Sequence, residues 1–254
     1  PSGDFTMLDS HEAGGVPAAL SELKDLINPS TLTVSRQKTG SIAASHSSVR
    51  PEVIRPLSSP HRKEGGIAVL KGSLAPLGSL LKTSALAHSM WSGSAPAKVF
   101  DALEPAIDWL RKARVTGETC IVIRYEGPRG GPGMREMHMI TSLIVGRGLA
   151  EKVFLVTDGR FSGSTRGPFI GYVCPEAYDG GPIALVEDGD RISYDVEARS
   201  IHLDVSPSEL SARRERWTRL KKPASGFLHR YRELVTPAAS GATMRYTGPR
   251  PREV

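Results

Sequence analysis

Short apolar runs separated by glycine and proline dominate the chain from Gly65 onward. Gly66-Ile-Ala-Val-Leu-Lys71 and Ser79-Leu-Leu-Lys-Thr83 are too short for helices and predict strands. Asp101-Ala-Leu-Glu104 sets a capping residue three positions before a carboxylate, predicting a helix through about Arg114. Thr119-Cys-Ile-Val-Ile-Arg-Tyr125 predicts a strand that runs into the glycine/proline loop 126–133. A helix from Met134 to about Arg147 and a strand at Val153-Phe-Leu-Val-Thr157 follow. A strand–helix–strand crossover is right-handed and lays its strands parallel, so loops 126–133 and 157–164 are expected at one sheet edge, facing one cleft. Ile183–Val186, Arg191–Val196 and Ser200–Val205 predict a meander joined by tight turns. Ser206-Pro207-Ser-Glu209 supplies cap, first-turn proline and capping-box glutamate for a helix ending near Trp217.

The first sixty residues have a different texture. Ala19, Leu20, Leu23, Leu26 and Ile27 fall at helical spacing behind Gly14-Gly-Val-Pro17 and predict a short amphipathic helix. Residues 28–60 are rich in Ser, Thr and Pro and predict a connector with one strand at Thr31-Leu-Thr-Val34. The pattern divides the chain into 1–30, a connector 31–60, a main domain 61–241 and a basic tail 242–254.

Composition narrows the function classes. A chain of 254 residues with 39% apolar content can bury a sizeable core. No run of 18 uncharged apolar residues suits a membrane span, and the start, Pro1-Ser-Gly-Asp-Phe5, lacks both an initiator Met and a signal pattern, so a soluble fragment is expected. A net charge of +6 and a pI near 9.5 favour anionic partners, carboxylates as well as nucleic acid. The basic residues form no stripe interleaved with aromatics, which argues against nucleic acid. Cys120 and Cys174 sit in apolar stretches and lack metal-ligand spacing, so they are expected to be packing residues of a protein from a reducing compartment.

Three places could carry chemistry. Arg129-Gly-Gly-Pro-Gly-Met134 can turn tightly and bare its amides to an anion or a metal-bound carboxylate, or it can be a structural turn. It fits neither the dinucleotide fingerprint nor the phosphate loop. Glu136 is expected in the first turn of the following helix, where a carboxylate gains from the helix dipole whether or not it binds anything. Ser162 lies in a loop just past a buried strand, but a serine hydroxyl is a poor base unless a cation stabilises its alkoxide, and no local motif supplies a histidine partner. The residues alone leave both roles open.

Several strings, taken in order, resemble the dihydroxy-acid dehydratase family. They are Glu126-Gly-Pro-Arg-Gly-Gly-Pro-Gly-Met134, Thr157-Asp-Gly-Arg-Phe-Ser-Gly163, Cys174-Pro-Glu-Ala177 and Gly180-Gly-Pro-Ile-Ala-Leu-Val186, with His11–Pro17, Val53–Leu57, Glu64–Gly72 and Phe227–Tyr231 around them. The likeness covers roughly residues 1–241. It implies an α/β fold whose carboxyl-terminal domain is β-rich and barrel-like, of the swivelling β/β/α type, with flanking helices, preceded by a short helical remnant of an amino-terminal α/β, cluster-binding domain. It implies a hydro-lyase that converts 2,3-dihydroxy-3-methyl acids to 2-keto acids in valine and isoleucine synthesis, using magnesium and an iron–sulfur cluster of the [2Fe-2S] type. Ser162 matches the family's proton acceptor, and Glu136, in Gly-Met-x-Glu-Met, matches a magnesium ligand. The cluster cysteines and remaining magnesium ligands of the family precede the stretch matching Pro1. Cys120 and Cys174 fall at positions the family uses for strand packing and for a loop, and are not expected to bind the cluster. Ser164 stands where relatives often have Gly, and Arg135 where they often have Pro.

The resemblance further implies a small-molecule substrate, no nucleic-acid or membrane partner, and a homodimer in the cytoplasm of a bacterium or in a mitochondrial or plastid matrix. Residues 1–254 alone are expected to be inactive. A sugar-acid or phosphogluconate dehydratase is the alternative within the same chemistry, disfavoured by Phe161 and Ile183, where such relatives tend to carry Met and Leu. A non-catalytic remnant acting as an assembly module is the alternative outside it, and a basic nucleic-acid binder is a distant third.

Overall fold

Strands flanked on both faces by packed side chains need apolar residues at every position, and Thr119–Ile123 (β4) and Val153–Thr157 (β5) have them. Because alternate residues point to opposite faces, Cys120, Val122, Phe154 and Val156 enter one core while Ile121, Ile123, Val153 and Leu155 enter another. A computed structural model describes residues 4–245 and shows what fills each side.

The chain divides between Gly65 and Gly66 into two compact units. In the first, Met7–Glu12 (α1) opens on a capping box in which the Thr6 amide donates to Asp9 Oδ2 at 2.7 Å and the Asp9 amide donates to Thr6 Oγ1 at 3.2 Å. Gly15–Glu22 (α2) begins earlier and ends earlier than its apolar spacing suggests. In place of a strand at 31–34 there is a single Leu32–Lys38 bridge, and Thr39–Ala44 (α3) packs on α2, with Ala18 of α2 and Ala43 of α3 both buried.

The second unit adds Ile67–Leu70 (β1), Gly78–Lys82 (β2), Ser92–Phe100 (β3), Phe169–Cys174 (β6), Arg191–Asp195 (β7) and Ser200–Leu203 (β8). The sheet order is β1-β2-β6-β5-β4-β3-β7-β8, with β3, β4, β5 and β6 mutually parallel. The two outer strands then meet. Lys71 donates its amide to Arg199 O at 3.0 Å and accepts from the Ile201 amide at 3.1 Å, a single bridge that brings the sheet round into a nearly closed barrel. Gly72 is required at this seam, since a Cβ there would lie 1.9 Å from Ile201 O.

The strand β3 was not evident in the sequence, because Ser-Gly-Ser-Ala-Pro-Ala-Lys-Val-Phe has no apolar alternation. It changes partner halfway, running antiparallel to β7 over Ser92–Pro96 and parallel to β4 over Ala97–Phe100. The predicted strand at 183–186 is a 3-10 turn, Pro182–Leu185, so the meander reduces to the β7–β8 hairpin. Leu103–Lys112 (α4) and His138–Gly146 (α5) cover the outer face of β4 and β5. Asp101 does not cap α4. Its carboxylate accepts from Arg124 Nε at 2.6 Å, and the Leu103 amide is taken by Glu126 Oε1 at 3.0 Å. Pro207–Arg216 (α6) is capped by Ser206 as the sequence predicts, and Gly226–Leu234 (α7) follows. The start of the predicted tail is paired, Val235 with Met244, and residues 246–254 lie outside the described residues.

Candidate active site

The crossover between β4 and β5 puts the loops that follow them side by side, as expected. Asp158, fully buried just past β5, accepts the amides of Tyr125 at 3.1 Å and Glu126 at 2.9 Å just past β4, and that of Ala177 at 2.9 Å. Glu176 does the same for the glycine loop, taking the Arg129 amide at 2.9 Å and the Gly130 amide at 2.8 Å. A third buried carboxylate, Glu126, accepts from Leu103, from Arg135 at 3.3 Å and pairs with Lys222 at 2.9 Å. In the loop Glu126–Gly133 the amides of Glu126, Arg129 and Gly130 therefore go to protein carboxylates and those of Gly131 and Gly133 to the loop's own carbonyls, so its anion-binding capacity is already used. Burial, reinforced by mutual repulsion, raises the Glu176 pKa to about 8, against the pull of the two amides.

Glu136 is not in a helical turn. Met134 takes a left-handed backbone (φ 61°), and the next three residues form a parallel rung with the other loop: Arg160 N donates to Arg135 O at 3.0 Å and Met137 N to Arg160 O at 2.9 Å. α5 consequently starts only at His138. The Glu136 carboxylate still serves that helix, because Oε2 accepts the His138 amide at 2.7 Å. Its other oxygen, Oε1, is buried and has no hydrogen-bond partner. A carboxyl oxygen shielded from water with no donor is unfavourable by a few kcal/mol, and a cation is a group that would satisfy it. Glu136 thus fits one metal-ligand position. Among the described residues no cluster of three or more His, Cys, Asp or Glu could hold a metal.

Ser162 lies two residues beyond Arg160, in the same connection between β5 and β6 as the rung. Its half-buried hydroxyl is 2.8 Å from Ser164 Oγ and accepts the Ser164 amide at 3.1 Å. Phe161 is fixed by its edge contact with Tyr172 at 5.7 Å and by Gly171, where a Cβ would sit 2.7 Å from the ring. Lys82, from the end of β2, donates to Gly163 O and, at 3.5 Å, to Thr165 O. Burial, with a smaller contribution from Arg166, holds its pKa below the usual lysine value. Beyond Ser164, an open cavity of about 270 Å³ lies between that loop and α5, with His138, Ser142 and Arg166 among its walls.

The rung therefore brings the segments of Glu136 and Ser162 together, without a hydrogen bond between the two side chains. Sequence reading missed the carboxylates beneath them and Lys82. Asp158 carries a recognisable signal, an acidic residue directly after a buried strand, whereas Glu126 stands three residues past the end of β4; Lys82 has none, since its contact spans 81 positions. Cys120 and Cys174 are both buried, and burial drives the Cys120 thiol well above its usual pKa, which keeps it protonated. Neither suits cluster ligation.

The second unit is thus a nearly closed, partly parallel barrel with paired loops at the ends of adjacent strands. Residues 52–242 match the model of the dihydroxy-acid/6-phosphogluconate dehydratase carboxyl-terminal domain, and the chain belongs to this dehydratase family. It is 48% identical over 97% of its length to a dihydroxy-acid dehydratase of Ignicoccus hospitalis, 48% over 96% to one of Lachnospira eligens and 46% over 95% to one of Geotalea daltonii. The chain spans about 45% of the length of these curated relatives.

Proposed function

We propose that this chain contributes the proton acceptor and one magnesium ligand to a hydro-lyase that converts 2,3-dihydroxy-3-methyl acids to 2-keto acids in branched-chain amino-acid synthesis. The observation that carries the reading is the rung between Arg135–Met137 and Arg160. It holds a glutamate with one buried, partnerless oxygen beside the loop of a serine whose Oγ already accepts a hydrogen bond.

Bound at Glu136 Oε1, magnesium would act as a Lewis acid on the substrate's carboxylate and 2-hydroxyl, making the C2 proton more acidic. Glu136 is pre-oriented for that role because Oε2 is committed to the His138 amide. Ser162, as the alkoxide, accepts the C2 proton at Oγ, and Ser164 supports that charge with its amide. The rung joins the two segments that carry these groups. The iron–sulfur cluster implied by the resemblance finds no suitable ligands in Cys120 or Cys174, and no step is assigned to it.

The test is Ser162→Ala in the holoenzyme, with exchange of the C2 proton for deuterium and bound magnesium both measured. Exchange should be abolished at unchanged magnesium content; retained exchange, or loss of metal, would overturn the assignment. Turnover of a branched dihydroxy acid should exceed that of an aldonic acid. The reverse preference would move the proposal to the sugar-acid dehydratases.

A further inference from the structure

Ser162 needs help to act as a base, and the structure shows two groups placed to give it. We propose that Ser164 and Lys82 are positioning residues that stabilise the ionised form of Ser162: Ser164 by donating to its Oγ through both amide and hydroxyl, Lys82 by clamping the backbone on either side of Ser164. The inference rests on the reading of Ser162 as proton acceptor.

The two donors converge on one atom. The Ser164 amide reaches Ser162 Oγ at 3.1 Å and the Ser164 hydroxyl lies at 2.8 Å. With Ser162 neutral, either hydroxyl can be the donor. Once Ser162 has released its proton to solvent, only Ser164 can donate, and both bonds become charge-assisted. Hydrogen bonds to the charged form favour it, so the pair lowers the pKa of Ser162. A glycine at 164 would keep the amide and lose the hydroxyl.

The amide must also be aimed. The Ser162 carbonyl accepts the Thr165 amide at 3.1 Å, closing a tight turn around Gly163 and Ser164. The carbonyls of Gly163 and Thr165 then point to one side, where both accept from Lys82 Nζ. Lys82 is anchored at the end of β2, whose Leu81 pairs with Ile170 of β6. The turn is therefore tied to the barrel wall, and the ammonium adds a positive charge to the loop that must hold a negative one.

The experiment compares the holoenzyme with Ser164→Gly, Lys82→Met, Lys82→Arg and Ser162→Ala, reading kcat/KM and C2 deuterium exchange across pH. In Ser164→Gly the apparent pKa of the base should rise by about one pH unit, the size of one hydrogen bond to a charged oxygen, with about a tenfold loss at pH values below it, recovery above it and unchanged KM. Lys82→Met should shift the profile the same way and Lys82→Arg should restore most of it. An unmoved profile, or a loss equal at all pH values, in Ser164→Gly overturns the proposal. Because that variant leaves the clamp intact, the outcome does not depend on Lys82→Met folding. If Ser162→Ala retains exchange, the reading of Ser162 as base fails instead, which this set separates from failure of the present inference.

Discussion

Replacing Asp158 by asparagine probes the joint that holds the two loops together. Its Oδ2 accepts from Tyr125 and Ala177 and its Oδ1 from Glu126. Complete burial raises its pKa from 3.8 to about 6, overcoming the three amides that pull it down, with Glu126 adding to the rise. A folded pKa above the unfolded one means the folded state holds the proton more tightly. The resulting stability is complete below about pH 3.8 and is lost as pH rises through about 6. At about 1.4 kcal/mol per pH unit, the interval between the two values corresponds to about 3 kcal/mol in all, most of it lost between pH 4 and pH 8. Asparagine does not titrate. It can place its oxygen at the Oδ2 position and keep two amides, but it must then turn its NH₂ against the Glu126 amide, at a cost of about 1–3 kcal/mol at every pH. Urea unfolding of both proteins from pH 4 to pH 8, with amide exchange at Ala177 as the local readout, checks this. The variant should be the less stable protein at pH 4, and the gap should close or reverse by about 3 kcal/mol by pH 8. A gap that stays constant with pH would refute the reasoning.

Gly72→Ala should lower stability by about 2–4 kcal/mol and expose the Ile201 amide to exchange, because its Cβ can be accommodated only by opening the seam at Ile201 O; protection equal to wild type would show that the seam yields without breaking. Glu136→Gln keeps an oxygen for the His138 amide but removes the charge, so magnesium affinity of the holoenzyme, measured by titration calorimetry, should fall at least tenfold while thermal stability changes little; unchanged affinity would remove Glu136 from the ligand set. Arg213→Met leaves Asp190, whose carboxylate Arg213 holds at 3.1 Å through Nη2, partly buried without its main partner. It should lower the unfolding free energy by about 3 kcal/mol in a chemical melt, a change below 1 kcal/mol counting against a structural role.

The crossover logic was legible in the sequence because both strands are unbroken apolar runs: it correctly set loops 126–133 and 157–164 side by side. The start of α5 was not, because Met134-Arg-Glu-Met137 has good helix formers and their backbone is diverted by a partner 25 or so positions away at Arg160. The same competition hid β6, whose Gly171 is needed to seat Phe161, and misread Ile183–Val186, where Pro182 opens a buried turn instead of a strand. Glu136 and Ser162 stood out by position, but roles for them came through the family strings alone. Their setting was not: the buried carboxylates act through backbone amides, and Lys82 through carbonyls, groups that every residue carries and no sequence distinguishes.

The barrel's seam has a kinetic side. Ser73 and Leu203, bonded at the closure, stand 130 positions apart, whereas β4 and β5 pair across a single crossover. Contacts between distant positions must first meet the entropy of closing the intervening loop, which places the seam late in folding. Pulse-labelled amide exchange during refolding should find Ile201 protected after Val122. Until then β1 and β8 both offer unpaired backbone to any neighbouring chain. In the folded chain the bridge at Lys71 takes up one rung of those edges, and a chain still folding exposes them in full.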